Sequence, residues 1–62
     1  MNVTVRDSKA ARVFYNQDLG SALNDLECSA AQAVTITIAL CANGKWIGHL
    51  SGRVIEFRRE GW

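Results

Sequence analysis

Between Val34 and Arg59 the chain reads as three runs, VTITIALC, KWIGHL and RVIEFRR, divided by Asn43-Gly44 and Ser51-Gly52. The first run alternates strictly, Val34, Ile36, Ile38 and Leu40 against Thr35, Thr37 and Ala39. A period of two sends successive side chains to opposite faces of a strand. Asn-Gly is the dipeptide that tolerates the positive φ angles of a type I′ hairpin turn, and Ser51-Gly52 supplies a second tight turn. A three-stranded antiparallel meander is therefore expected. Two-residue loops fix its register: Cys41 opposite Trp46, Leu40 opposite Ile47 and Ile38 opposite His49 in one hairpin. In the other, Leu50 faces Arg53, His49 faces Val54 and Trp46 faces Phe57, which also makes Lys45 and Arg58 cross-strand neighbours.

The N-terminal half is patterned differently. On a helical wheel, Ala10, Val13, Phe14 and Gln17 form one stripe, and Leu19, Leu23, Leu26 and Ala30 form another on nearly the opposite side. A single helix through both has no consistent buried face, so the chain must break around Asn16 to Gly20. The second stripe predicts a helix over about residues 19–31, capped by Asp18 or Ser21, with Asn24, Asp25 and Glu27 on its solvated side. VTVRDSKAARVFY fits a β-hairpin, Val5 opposite Val13 and Val3 opposite Tyr15, with a short helix over 8–16 as the competitor. The expected fold is α+β, one domain over residues 1–62: N-terminal hairpin, one helix, C-terminal meander.

A chain of 62 residues buries only about 60% of the surface that its unfolded form exposes. Apolar content of 48% and charged content of 21% argue against disorder, and proline is absent. Cys28 and Cys41 are too few for a disulfide scaffold and read as free thiols. MNVTVRD lacks a basic region followed by an apolar core, so no signal peptide is expected. AVTITIALCA is too short to span a membrane. The expectation is a cytoplasmic protein with no membrane association.

His49 is the one histidine, and Cys41 and Ser51 are the nucleophile types near it in sequence. The strand register separates Cys41 from His49 and leaves Ser51 as a turn residue, so no catalytic pair is expected. Cys28, Cys41 and His49 lack the paired spacing of a zinc site. Gly44 and Gly52 read as turn glycines, and Gly48, in mid-strand, as a place for a bulge or for the close approach of an aromatic ring. No phosphate-binding glycine loop is present, and neither a metal nor a cofactor is expected.

In this reading both faces of the meander are apolar and one helix covers only one of them. Trp46, Leu50, Ile55 and Phe57 then need another layer, and a two-fold dimer in which that patch meets itself would provide it. The leading expectation is a small non-enzymatic binding or regulatory protein, homodimeric, acting on a further protein through surface contacts. The alternative is a nucleic-acid-binding module, with Trp46 and Phe57 stacking on bases and Lys45, Arg53, Arg58 and Arg59 meeting phosphates. The net charge of +1, and Glu56 and Glu60 set among those arginines, count against the second reading.

Overall fold

The structure, a computed structural model, describes residues 1–8 and 12–61. Its elements run β1 (Asn2–Asp7), β2 (Arg12–Asp18), α1 (Leu19–Asp25), α2 (Ala30–Asn43), β3 (Lys45–Leu50) and β4 (Arg53–Arg59). The strands form one antiparallel sheet in the order β2-β1-β4-β3, so the first and last strands of the chain lie at its centre. Helix α1 packs over β1 and β2, and α2 over β3 and β4. The fold is α+β, as expected, in two layers: a four-stranded sheet with both helices on one face.

The β3–β4 hairpin has the register read from the sequence, with Lys45 opposite Arg58, Trp46 opposite Phe57, His49 opposite Val54 and Leu50 opposite Arg53. Ser51 (φ 53°) and Gly52 (φ 74°) both take positive φ, which matches the twist of the flanking strands. Alternation then sends Trp46, Leu50, Ile55 and Phe57 toward the helices, and Ile47, His49 and Val54 to the other face.

The N-terminal hairpin also forms, and β2 replaces the competing helix over 8–16. Its register differs from the expected one: Arg6 faces Val13 and Val5 faces Phe14, and an irregularity between Val3 and Val5 brings Val3 opposite Gln17. A slip of one residue moves a side chain to the opposite face, so Val13 leaves the core side and lies across from Arg6. Of the expected turn residues, Lys9 lies outside the described residues.

The largest correction concerns residues 30–43. The run VTITIALC is helix, so the meander has two strands and not three, and β1 takes the place beside β4. Local signals at both ends support the helix. Ser29 and Gln32 form a capping box: the Ser29 hydroxyl accepts from the Gln32 N–H at 3.2 Å, and Gln32 Oε1 accepts from the Ser29 N–H at 2.8 Å. At the other end Gly44 is left-handed, φ 77°, and its N–H donates to the Leu40 carbonyl at 3.0 Å. Of the Asn-Gly pair only Gly44 takes positive φ, in a helix cap instead of a hairpin turn, while Asn43 remains helical. The same box divides the helix expected over 19–31. Helix α1 begins on Asp18, whose carboxylate accepts from the Ser21 N–H at 3.2 Å, and ends before Glu27, which is left-handed at φ 56°.

The core lies between the layers. Val3, Val5, Leu50, Ile55 and Phe57 from the sheet meet Leu19, Ala22, Ile36 and Leu40, with Leu23, Leu26, Cys28 and Trp46 packed against them. Each large side chain fully withdrawn from water contributes about 1.5–3 kcal/mol, so these few residues supply most of the stabilisation. On the core side Arg53 donates to buried Asp7 at 2.9 Å.

Candidate binding surfaces

Leu50, Ile55 and Phe57, expected at a dimer interface, are buried under α1 and α2 of the same chain. The second helix, which the alternating run does not disclose, supplies within one copy the cover expected from a dimer. Trp46 is half-buried. Its ring makes an edge-to-face contact with Phe57, centroids 6.0 Å apart and planes at 68°. It lies along β3 over Gly48, where a Cβ would stand 2.5 Å from Trp46 Cζ2. Of the two roles read for Gly48, close approach of a ring holds, and the register with β4 shows no bulge there.

The basic residues divide between the two sides of the sheet. Arg53 faces the helices and is engaged by Asp7. Lys45 and Arg58 lie on the open face, where Arg58 and Arg6 both reach Glu56, at 3.4 and 3.9 Å. Arg59 returns to the helix side, and its N–H donates to the Gly44 carbonyl at 2.8 Å. Lys45, Arg58 and Arg59 meet Asn43 and Gly44 around a cleft of about 360 Å³ where α2 ends. Cations there complement the partial negative charge of a helix C-terminus, which accounts for the cluster without a ligand. Phe57 is fully buried, and Trp46 faces the helix layer. Neither offers a base-stacking ring on the open face, which carries Thr4, Arg6, Lys45, Ile47, His49, Val54, Glu56 and Arg58.

The open face is therefore mixed, with Ile47 66% exposed among charged and polar neighbours. His49 is exposed there, directly opposite Val54, while Cys41 is exposed on α2. Both cysteines are free, and burial raises the Cys28 thiol above its ordinary pKa. Among the described residues, no three His, Cys, Asp or Glu side chains are grouped to hold a metal ion. No helix among them is long and apolar enough to cross a membrane.

Helix α2 presents the surface that sequence reading missed. Its fourteen residues, AAQAVTITIALCAN, include no Asp, Glu, Lys or Arg. Ile36 and Leu40 point to the core, and the opposite side carries Val34 (57% exposed) and Ile38 (62% exposed), flanked by exposed Ala31, Thr35, Cys41 and Ala42. A helix on the surface of a domain ordinarily carries charge on its outer side. The strand reading concealed this, because a strand places Ile36 and Ile38 on one face whereas a helix turns them about 200° apart. Nearer the sheet edge, Ala31, Gln32 and Thr35 line a shallow cleft of about 190 Å³ with Trp46, His49 and Leu50 of β3. No family model, curated protein or solved structure matches the chain.

Proposed function

We propose that this chain is a small non-enzymatic binding protein of the regulatory or accessory type, acting through protein–protein contacts made by the outward face of α2. The observation that carries the reading is the uncharged helix with Val34 and Ile38 more than half exposed. Leaving these side chains in water forgoes stabilisation that burial against a partner recovers, at about 25 cal/mol per Å² of apolar surface. An apolar centre free of charge is also the composition of the middle of a protein interface. A nucleic-acid role has less support, because Arg53 is engaged by Asp7, Glu56 faces both Arg6 and Arg58, and Trp46 and Phe57 are turned toward the helices.

The test is site-specific photocrosslinking in the native host. A benzophenone side chain at position 38 is expected to give a discrete protein adduct, whereas the same group at exposed Asp25 of α1 gives none. The adduct's mass distinguishes a second copy from a different protein. Absence of any adduct at position 38, with the variant folded, overturns the reading.

A further inference from the structure

The two edges of the sheet are unlike. Strand β2 is irregularly paired with β1, the kind of distortion that blunts an edge. Strand β3 keeps unbroken register with β4 over all six residues, contains no proline, and carries one formal charge, Lys45. Because Leu50 and Arg53 close a two-residue loop, they are a hydrogen-bonded pair. By alternation Trp46, Gly48 and Leu50 direct their backbone groups to β4, and Lys45, Ile47 and His49 direct theirs out of the sheet.

We infer that β3 is a self-association edge: two copies pair β3 with β3 antiparallel about a two-fold axis at Ile47, making one eight-stranded sheet. Centring on Ile47 uses all three outward-facing residues, Ile47 opposite Ile47 and Lys45 opposite His49 of the other copy. Centring on Gly48 would use only Ile47 and His49. The chosen register also keeps the two Lys45 ammonium groups from facing each other.

The helix layer fits the same axis, and this favours a second copy over an unrelated strand. Strands lie about 4.8 Å apart, so the axis falls about 2.4 Å beyond β3. Helix α2 rides over both β3 and β4, which places it about 5 Å from the axis. The two copies of α2 then run antiparallel about 10 Å apart, the ordinary separation of packed helices. The side of α2 toward this edge carries Ala31 and Thr35, small enough for that approach, and Gln32, whose side-chain oxygen is turned back to the Ser29 N–H in the capping box.

The contact area is modest. A six-residue strand and a fourteen-residue helix are each about 20 Å long, and the molecule is 18 Å across its shortest axis. The contact is therefore at the small end of specific interfaces. Pairing leaves Val34 and Ile38 on the outside and sets the outward faces of the two α2 helices side by side, so the inference adds to the binding reading without depending on it.

Sedimentation equilibrium from 5 to 500 µM tests it. The wild type is expected to move from 6.8 kDa toward twice that mass. Ile47→Pro removes only an outward N–H, as an edge strand tolerates, and should stay folded and monomeric. Ile47→Lys sets like charges opposite each other and should raise Kd at least ten-fold. With Cys28 and Cys41 changed to serine, Ile47→Cys should oxidise to a covalent dimer, and Val54→Cys, one strand inward, should not. A wild type monomeric at 500 µM overturns the inference. So does a dimer that persists in both Ile47 variants; if that dimer is lost in Ile38→Lys, the copies meet through α2 instead, and the binding reading stands while this one fails.

Discussion

At the scale of single residues, Gly48 shows how a backbone position records a neighbour. Its missing Cβ is the space that the Trp46 ring occupies, Cζ2 and Cη2 standing 2.5 and 2.7 Å from where a methyl would be. The ring in turn meets Phe57 edge-on. Gly48→Ala is expected to displace the ring and cost about 1–3 kcal/mol, the range for overfilling a packed site. Urea melts give the stability change, and near-UV circular dichroism in a Trp62→Phe background reports the ring. An unchanged spectrum together with unchanged stability would contradict the placement of Trp46. Gly44 is constrained differently. Its role is a left-handed backbone, and a hairpin and a helix cap ask the same of it, so its identity alone does not separate the two structures.

Among the elements, α2 holds the lesson. Alternation of β-branched and polar residues over 34–40 favours a strand locally, and it yields to the capping box at Ser29–Gln32, the left-handed Gly44 and the alanines around it. The sheet also needs a cover for Phe57 and Ile55, which a helix supplies with Ile36 and Leu40, one turn apart. Two substitutions separate the structures. In the helix, Ile36→Ala removes a fully buried side chain and should cost about 2–5 kcal/mol. Ile38→Ala, at an exposed site, should change stability by less than about 0.5 kcal/mol. A strand would place both side chains on one face and make the losses similar, so thermal melts of the pair decide the matter.

For the whole molecule, the two layers leave one sheet face open and close the other under both helices. The Asp7–Arg53 pair joins the two central strands on the closed side, with Asp7 5% exposed and Arg53 about a third exposed at its side chain. Arg53→Met keeps much of the side-chain bulk and removes the cation, depriving a buried carboxylate of a charged donor. The expected loss is about 2 kcal/mol, in line with hydrogen bonds to charged groups, measured as a lower urea midpoint with unchanged slope. No loss would mean that other groups satisfy Asp7 on their own.

By itself, the sequence determined several features that rest on neighbours along the chain. The β3–β4 register follows from Ser51-Gly52, the start of α1 from Asp18, the break near residue 18 from two opposed apolar stripes, and the mixed α+β class from all of these. For residues 30–43 the local signals conflict, an alternating apolar run against a capping box and a capping glycine, and the tertiary structure decided between them. Alternation and helical periodicity both fit a short apolar run, and the choice depends on what the rest of the chain must bury. That choice also moved the candidate site. Once α2 covers Leu50, Ile55 and Phe57, those residues become core, and the exposed apolar surface passes to Val34 and Ile38. Burial is a relation between elements distant in sequence, and local pattern does not record which face of an element is covered.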